Sequence, residues 1–445
     1  MTARTLQVLI NGALVGTLRD ENNIWAFQYD SSWLQTLGAF ELAASIPLKE
    51  GWQVDGSSVR PVQWFFDNLL PEELMREVLA KEEGMEPADA FGLLQRLGAE
   101  SAGALVLQPE GTEPPEKGVL PLAWKDLSHR IRNLPKASLN KGAPKRMSLA
   151  GAQHKTVVIY DPKSQELGEP RKGTPSTHIL KPNSTAEGYP NSVINETFTM
   201  MLAARLGLNV PKVWHLYLPE PAFIIERFDR APGPEEPLRL HVLDGTQMLN
   251  EPSYNKYSSE TFPKLKDLIE QCRNKAAARV ETFRWIVFNT MVGNSDSHLK
   301  NISFIVDHEG RRVAPFYDLL CTAVYHTRVF LDEGAVWPNE KLSSPVAGAN
   351  CFSDVTFDKL IATGLELGLS KSAAVREVVK IVGRLTGAAD EIIAQLESIL
   401  ADAGAPQGAP SPMTKAAERR MLRSIRSIVM ADMLRYVRWP VAAAK

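Results

Sequence analysis

Polar side chains crowd a short stretch of the chain, GNSDSHLKN, that follows an apolar segment. The stretch contains Asp296, His298, Lys300 and Asn301, and a further carboxylate, Asp318, comes later. Transfer of a phosphoryl group to a hydroxyl needs a carboxylate that takes or orients the hydroxyl proton, and a nucleotide-bound magnesium ion needs hard oxygen ligands. The residue types in this stretch therefore favour phosphoryl transfer.

The spacing of these residues matches a known arrangement. Asp296 precedes Asn301 with four residues between them, which is the D-x-x-x-x-N spacing of the protein-kinase catalytic loop, and Asp318 stands in the place of the metal-binding Asp. In the alternative interpretation Asp296 caps a turn, His298 is a surface residue and Asp318 ends a strand. The spacing alone favours this alternative, but the helix before it and the hairpin after it leave both interpretations open.

Two predicted elements would bring the carboxylates together. Apolar residues recur at three- and four-residue steps over residues 280–292, which predicts a buried amphipathic helix that Gly293 ends. Strands are predicted at 302–306 and 311–316, with a turn between them. The end of the helix and the end of the hairpin can therefore meet at one site.

The N-terminal part of the chain is predicted to form an α+β unit that ends near Ala123. Residues 6–10 and 14–18 alternate like strands on either side of the hairpin signal Asn11-Gly12. Residues 91–97 have helical spacing, and a segment rich in Pro, Glu and Gly at 109–118 predicts an exposed connection.

A second α+β unit is predicted for residues 124–240. Small residues precede a strand at 156–160 and would let backbone N–H groups approach an anion, although a plain turn is the more common explanation. Lys181, which closes a strand at 177–180, could reach phosphates or lie at a solvated edge. Glu196, expected in the first turn of a helix at 195–206, either complements the helix dipole or pairs with Lys181, like the strand Lys and helix Glu of kinases.

The remaining chain, from residue 241 to 445, is predicted to be mainly helical apart from the hairpin before Asp318. A flexible Ala/Gly/Pro linker at 402–412 precedes an amphipathic helix at 415–438. The polar face of that helix carries Arg419, Arg420, Arg423, Arg426, Arg435 and Arg438. A docked helix with a solvated basic face is the favoured interpretation, and a surface for a phosphate backbone or an acidic partner is the alternative.

Composition narrows the class of protein. The 445 residues are 44% hydrophobic and 23% charged, and a formal net charge of −2 gives no overall attraction to nucleic acid or membrane. The three cysteines are far apart and lack metal-ligand spacing, which fits a reducing compartment. No signal-peptide pattern and no long apolar run is present, so a cytoplasmic protein without a membrane span is expected.

Several motifs match one known family in order along the chain. They are NGALVGTL, SIPL, WFFDNLLPE, SAGAL, SLAGAQHKT, THILKP, NETF, LGLNVP, ERFDR, NSDSHLKN and PFYD. On these motifs the sequence resembles the HipA-type serine/threonine kinases, the toxins of bacterial toxin–antitoxin pairs. The resemblance covers roughly residues 6–320, and the C-terminal helices match only in general character.

The resemblance implies a fold of the α+β class. It is a bilobal protein-kinase-like fold with an additional N-terminal α+β subdomain at residues 1–123. A kinase N-lobe core with the phosphate loop, nucleotide lysine and hinge would occupy residues 124–240. A mainly helical C-lobe with the catalytic loop and the basic C-terminal helix would occupy residues 241–445.

The resemblance also implies residue roles. Asp296 would be the catalytic Asp for the substrate hydroxyl, Asn301 and Asp318 would hold Mg²⁺, and Ser148 matches the serine that such kinases phosphorylate in themselves. The residues implied to bind the nucleotide are Ala150, Gly151, Ala152, Gln153, His154, Lys155, Lys181, Glu226, Arg227, Phe228, His298, Leu299, Lys300, Asn301, Tyr317 and Asp318. His154 departs from the family, because some relatives carry an acidic residue there, and this leaves the local charge and the ease of autophosphorylation open.

The implied activity is ATP- and Mg²⁺-dependent phosphorylation of a protein serine. The expected substrate is an aminoacyl-tRNA synthetase, most often the glutamyl enzyme, so that translation and growth stop. The expected partner is a small HipB-like antitoxin, through which the chain would meet operator DNA. Two alternatives remain open: a non-catalytic corepressor acting with that antitoxin, and a small-molecule kinase. The presence together of Asp296, Asn301, Asp318 and Lys181 favours an enzyme over the corepressor.

Overall fold

The computed structural model describes residues 3–113, 115–145, 147–149, 153–218, 220–257, 261–331, 333–402 and 410–437. Three of the predicted nucleotide-binding residues, Ala150, Gly151 and Ala152, lie outside the described residues, as does Arg438 of the basic tail. Within the described part of the chain, no helix is long and apolar enough to cross a membrane.

Strands and helices alternate along the chain. The strands are β1 Arg4–Ile10, β2 Ala13–Glu21, β3 Ile24–Tyr29, β4 Gln53–Val54, β5 Leu105–Gln108, β6 Val119–Pro121, β7 Thr156–Asp161, β8 Glu166–Pro170, β9 His178–Pro182, β10 Val213–Tyr217, β11 Pro221–Glu226, β12 Arg230–Ala231, β13 Leu238–Arg239, β14 His241–Asp244, β15 Ser303–Asp307, β16 Gly310–Val313, β17 Lys341–Val346 and β18 Ala349–Cys351. The α-helices are α1 Ser31–Gln35, α2 Pro61–Asp67, α3 Glu73–Glu82, α4 Ala90–Leu97, α5 Trp124–Arg132, α6 Ser192–Leu206, α7 Gly245–Met248, α8 Thr261–Glu270, α9 Lys275–Val292, α10 Phe357–Glu366, α11 Lys371–Asp402, α12 Pro412–Ser424 and α13 Met430–Val437. This mixture of helices and sheets confirms the α+β class.

The chain packs as two compact units, and the first comprises residues 1–181, 225–256 and 303–314. It contains an antiparallel sheet in the order β4-β3-β2-β1-β5. The predicted first hairpin is confirmed, because Asn11 and Gly12 both have positive φ, as a tight hairpin turn requires. The core side of this sheet includes Leu6, Val8 and Phe27, none of which is exposed.

The first unit also holds the strands around the predicted phosphate loop. β6, β8, β7 and β9 follow one another in an antiparallel arrangement. The predicted hairpin before Asp318 is present as β15 and β16, and β15 pairs in addition with β14. The second strand of the hairpin ends at Val313, earlier than expected, and Phe316 instead donates its backbone N–H elsewhere.

The second unit comprises residues 182–224, 257–302 and 315–445, and it contains α9, most of whose C-terminal half is buried. The predicted helix 280–292 is confirmed and begins earlier, at Lys275. It ends at Gly293, whose φ is +69°, and a Cβ atom there would lie 2.5 Å from a methyl group of Val429. Only glycine combines this left-handed conformation with so close a neighbour.

The helix around Glu196 differs from its prediction. α6 begins at Ser192, so Glu196 lies beyond the first turn and is buried. The explanation of Glu196 by the helix dipole was therefore wrong, since that effect falls off within the first turn.

The C-terminal half departs from the prediction in one place. α11 is a single long helix from Lys371 to Asp402, as expected of a mainly helical region. A second hairpin, β17–β18, was not expected in this mainly helical region. Its sequence, KLSSPVAGANC, contains a proline and lacks the apolar/polar alternation that signals a strand.

The C-terminal amphipathic helix is docked, as favoured from the sequence. It forms α12 and α13, joined by one π-helical turn, Ile425–Val429. Its apolar face, with Met421, Leu422 and Met433, is fully buried.

Candidate active site

The loop after α9 is folded by its own side chains. The Asn294 backbone N–H continues the helix end by donating to Asn289 at 2.8 Å, and the Asn294 side-chain oxygen accepts from the Asp296 N–H at 3.0 Å. The Asp296 side chain remains 49% exposed at the surface of its unit. The loop thus presents a carboxylate to solvent on a hydrogen-bonded support.

Asp296 and Asn301, predicted as a pair from spacing, lie together. A short 3₁₀ turn, Leu299–Asn301, brings the Asn301 side-chain amide within 2.8 Å of the Asp296 carbonyl oxygen, to which it donates. The amide nitrogen of Asn301 is used in this way, so its side-chain oxygen is the atom suited to a metal ion. The D-x-x-x-x-N spacing therefore corresponds to a short loop whose two end residues, Asp296 and Asn301, are joined by a hydrogen bond.

The Asp296 carboxylate already accepts a hydroxyl. The Tyr257 hydroxyl donates to Oδ1 of Asp296 at 2.6 Å, and Nε2 of His298 lies 3.9 Å from the same oxygen. The Tyr257 and His298 rings meet edge to face, with centroids 5.0 Å apart. The carboxylate is thus accessible to a hydroxyl donor at its exposed side.

Asp318 lies in a segment that is pinned to the same unit. Its φ is +57°, the left-handed region that a residue with a side chain rarely adopts. Nearby, the buried Asn195 amide holds the backbone of Cys321 in both directions, accepting from its N–H at 2.9 Å and donating to its carbonyl oxygen at 2.9 Å. Asn195 thus holds the backbone three residues after Asp318, whereas its sequence context indicated only the start of a helix.

The residues that directly precede the two predicted metal ligands, Asp318 and Asn301, contact each other. The Tyr317 hydroxyl donates to the Lys300 carbonyl oxygen at 2.8 Å, which joins the residue before Asp318 to the residue before Asn301. A carboxylate and an amide oxygen are the hard donors that Mg²⁺ takes, and Mg²⁺ completes its shell with waters and phosphates. The donor set therefore fits Mg²⁺.

The predicted nucleotide residues of the first unit fall into accessible and enclosed groups. Glu226 is exposed and Phe228 is half-buried, whereas Lys181, inside β9, is largely buried. The Arg227 guanidinium is enclosed and bonds to Glu100, Asp229 and the Ser101 carbonyl oxygen. The Arg227 side chain is therefore occupied, and its backbone N–H donates to the Thr177 carbonyl oxygen at 2.9 Å.

A buried charge cluster surrounds Glu100, and we call it the Glu100 cluster. The unexposed Glu100 carboxylate pairs with four cations: Lys145, Arg227, Arg230 and Arg239. It also accepts from the Ser176 hydroxyl at 2.6 Å. Burial opposes ionisation of Glu100, but these cations hold its pKa well below the ordinary value. The cluster joins segments that are far apart in sequence, and no sequence motif predicted it.

Ser148 is anchored to the same cluster. Its backbone N–H donates to the Glu100 carbonyl oxygen at 2.7 Å, and the side chain has no exposure. His154, further along the chain, is also buried, and burial lowers its pKa, which favours the neutral ring.

Comparison with known proteins places the chain in a family. Residues 6–108 match the model of the HipA N-terminal domain, and residues 147–391 match the model of the HipA-like C-terminal domain. The chain belongs to the HipA family.

Individual relatives agree with this assignment. Putative kinase Y4mE of Sinorhizobium fredii is 38% identical over 73% of this chain and 79% of its own length. The serine/threonine-protein kinase toxin HipA of Shewanella oneidensis is 32% identical over 72% of this chain and 76% of its own. A solved complex of Shewanella oneidensis HipA, HipB and operator DNA contains a chain with a TM-score of 0.76 and 27% identity, with 97% of both chains covered.

Proposed function

We propose that the chain is an ATP- and Mg²⁺-dependent serine/threonine protein kinase, the toxin of a type II toxin–antitoxin pair. The observation that carries the proposal is the closed Asp296–Asn301 loop, with an accessible carboxylate that accepts a hydroxyl. Kinase-named relatives of the HipA family support it.

The proposed chemistry assigns a role to each group. Asp296 orients the acceptor hydroxyl and takes its proton as the oxygen–phosphorus bond forms and the bond to the nucleoside diphosphate breaks. Asn301 and Asp318 would hold Mg²⁺, which would neutralise charge on the phosphates when bound. Lys181 would contact the phosphates, and the backbone of residues 226–228 would contact the adenine. The remaining proposed nucleotide contacts are Ala150, Gly151, Ala152, Gln153, His154, Lys155, His298, Leu299, Lys300 and Tyr317.

The surroundings of Ser148 support the proposed self-inactivation. A phosphoryl group would add close to two negative charges at a side chain that is now unexposed. The Ser148 side chain has no room for that group in its present position, because it is fully buried while the Ser148 backbone N–H is bonded to the Glu100 carbonyl oxygen. Phosphorylation would therefore move the loop off this support and stop nucleotide binding.

Partners are proposed from the relatives. The Shewanella oneidensis complex with HipB and operator DNA supports a HipB-like antitoxin, through which this chain would meet DNA. The same complex favours a second role, as corepressor within that assembly. The proposed substrate is an aminoacyl-tRNA synthetase, the glutamyl enzyme first, and the proposed location is the cytoplasm.

The test is intact mass and peptide mapping after incubation with Mg-ATP. We expect one phosphoryl group on Ser148 in the wild type and none in Asp296→Asn, with loss of nucleotide binding in the phosphorylated form. Asp267→Asn, an exposed aspartate on α8, is the matched control and should behave like the wild type. Equal phosphorylation in Asp296→Asn and wild type would contradict the role of Asp296.

Further tests separate the remaining parts of the proposal. Ser148→Ala should remain active towards a purified glutamyl-tRNA synthetase after incubation with ATP, whereas the wild type should lose activity with time. Equal decay in both proteins would contradict self-inactivation. No labelling of the synthetase by Ser148→Ala would reject that substrate.

A further inference from the structure

The unexpected β17 strand contacts the loop that carries Asp296. Two serines flank Asp296 in the sequence, Ser295 before it and Ser297 after it. Both are bonded through backbone and hydroxyl groups to residues of the segment 340–344 or to Thr322. We call these residues the catalytic-loop clamp: Thr322, Glu340, Ser343 and Ser344.

The residue after Asp296 is held from β17. The Ser297 backbone N–H donates to the Ser343 hydroxyl at 2.9 Å, and the two hydroxyls lie 2.8 Å apart. The Ser297 hydroxyl, which is almost fully buried, also bonds to the Ser344 hydroxyl. The backbone on this side of Asp296 is therefore fixed by side chains of a separate element.

The residue before Asp296 is held in the same manner. The Ser295 backbone N–H donates to the Thr322 hydroxyl at 2.6 Å, and the Ser295 hydroxyl donates to the Glu340 carboxylate. Thr322 belongs to the segment that follows Asp318, so the clamp also joins the proposed metal-binding segment to the catalytic loop.

Glu340 is itself held in place. Its side chain is only 12% exposed, and its backbone carbonyl oxygen accepts from the Phe352 N–H at 3.1 Å. Nε2 of His326 lies 3.6 Å from the carboxylate. A mostly buried carboxylate that accepts a serine hydroxyl keeps that serine in one rotamer, because leaving the carboxylate without a partner is costly.

We propose that Glu340 and Ser343 are positioning residues that fix the Asp296 carboxylate for transfer to the acceptor hydroxyl. The inference rests on the proposed kinase function. Neither residue touches a reacting atom in this assignment, and both act through the serines on either side of Asp296. Loss of either contact would let the loop backbone shift, and a displacement of about 1 Å in a reacting group can cost as much as about 10²-fold in rate.

The experiment measures the rate of Ser148 phosphorylation at several ATP concentrations by intact mass. Glu340→Ala and Ser343→Ala should lower the maximal rate by about 10-fold to 10²-fold. The ATP concentration for half-maximal rate should stay within about twofold of the wild type, since positioning affects the transition state rather than ground-state binding. The conservative variants Glu340→Gln and Ser343→Thr keep an acceptor or hydroxyl and should recover most of the rate.

Control variants remove similar groups that do not contact the loop. Ser353→Ala removes a hydroxyl that bonds to Asn339, and Glu366→Ala removes an exposed carboxylate that pairs with Lys266. Both should phosphorylate Ser148 at the wild-type rate. Thermal unfolding of every variant identifies any that fail to fold, and for those positions the conservative variant decides.

The outcomes distinguish a failure of the proposed kinase function from a failure of the clamp alone. A wild type that binds nucleotide but never phosphorylates itself contradicts the proposed self-phosphorylation and the clamp with it. If the wild type is active and Glu340→Ala and Ser343→Ala phosphorylate Ser148 at the wild-type rate, the clamp alone is overturned. The clamp is also rejected if the conservative variants are as slow as the alanine variants, because this would indicate general disruption.

Discussion

At the scale of single residues, the Asp296 carboxylate is the most informative group. The backbone of Asp296 is held by Asn294, which accepts from its N–H, and by Asn301, which donates to its carbonyl oxygen, and the carboxylate itself accepts the Tyr257 hydroxyl. A tyrosine hydroxyl on one carboxylate oxygen competes with an acceptor hydroxyl for the same group in the proposed reaction.

Tyr257→Phe should phosphorylate Ser148 faster than the wild type. Removing the hydroxyl removes the competitor for Asp296, and an exposed hydrogen bond of about 1 kcal/mol corresponds to roughly a fivefold gain in rate. Tyr254→Phe, at a more exposed tyrosine, is the control and should leave the rate unchanged. A slower Tyr257→Phe would show instead that Tyr257 positions Asp296.

The sequence predicted the contact between Asp296 and Asn301, but not the residues that support the proposed catalytic loop. The pairing of Asp296 with Asn301 could be expected from spacing because both lie in one short loop. Asn195 bonds to Cys321, 126 positions away, and Ser343 bonds to Ser297 across 46 positions. Hydrogen bonds between a side chain and a distant backbone group leave no local pattern in a sequence, so such residues are found only from the structure.

At the scale of elements, the Glu100 cluster joins a turn after α4 to the segments around Ser148 and Arg227. Four cations surround two buried carboxylates, Glu100 and Asp229. Burial lowers the pKa of Lys145 to about 8, despite the opposing effect of Glu100. The cluster depends on its central carboxylate, because without it the cations would be buried without compensation.

Glu100→Gln should lower the free energy of unfolding by about 3–5 kcal/mol, the usual cost of breaking a buried ion pair by removing one partner. Urea unfolding at pH 7 measures it. Glu116→Gln is the control, because Glu116 is exposed and pairs only at the surface with Arg171. An exposed pair contributes less than about 1 kcal/mol. A similar small loss in both variants would mean that the cluster does not stabilise the first unit.

In the second unit, a buried cluster of three side chains connects α12 to β10. The Tyr217 hydroxyl of β10 donates to the Glu418 carboxylate of α12 at 2.6 Å, and Nε2 of His215 lies 3.6 Å from the other oxygen. Burial raises the pKa of Glu418 to about 7 and lowers the pKa of His215 to about 3.

These two groups have opposite effects on stability. The raised pKa of Glu418 means that the folded state holds this proton more tightly, so stability from Glu418 falls between pH 4.5 and about 7. The lowered pKa of His215 means that stability from His215 rises between about pH 3 and 6.5. Between pH 4.5 and 6.5 the two contributions therefore oppose each other.

In Glu418→Gln the pH dependence of the free energy of unfolding should show the contribution of His215 without the opposing contribution of Glu418. Relative to the wild type, its free energy of unfolding should rise by up to about 1.4 kcal/mol per pH unit between pH 4.5 and 6.5. Urea unfolding at three pH values in this range measures the difference. Glu391→Gln, at an exposed glutamate of α11, should instead stay parallel to the wild type. If the two variants behaved alike, Glu418 would not be the titrating group.

Elements with a strong local pattern were predicted well. The β1–β2 hairpin has its turn signal, and α9 has its apolar periodicity and terminal glycine. β17 could not be predicted, because Pro345 and two consecutive serines interrupt the apolar/polar alternation that indicates a strand. Its contacts are made by serine hydroxyls with a loop elsewhere in the chain. The early start of α6 was missed because its cap residue, Asn191, adopts a left-handed conformation and makes no side-chain capping bond.

At the scale of the whole molecule, the charge of the chain bears on its partners. The formal net charge is −2, and the basic C-terminal helix is the strongest local exception noted in the sequence. Several of its arginines have partners within the second unit. Arg426 pairs with Asp390, Arg435 pairs with Asp432, and Arg420 donates to the Val329 carbonyl oxygen. These contacts favour a solvated, partly neutralised face over a DNA-binding surface.

The double variant Arg419→Ser/Arg423→Ser should therefore bind DNA no more weakly than the wild type. Arg423 is 73% exposed and only 3.9 Å from Glu397, so its charge is already partly balanced. Fluorescence anisotropy with a mixed-sequence duplex at 50 and 200 mM salt measures the affinity, with Lys125→Ser/Lys136→Ser as a control of equal charge change at exposed lysines. Each phosphate contact that an arginine makes contributes about 0.9 to the salt slope. A slope reduced by nearly two units in the arginine variant alone would assign the helix to DNA. Equal slopes in all three proteins would leave the proposed antitoxin as the route to the operator.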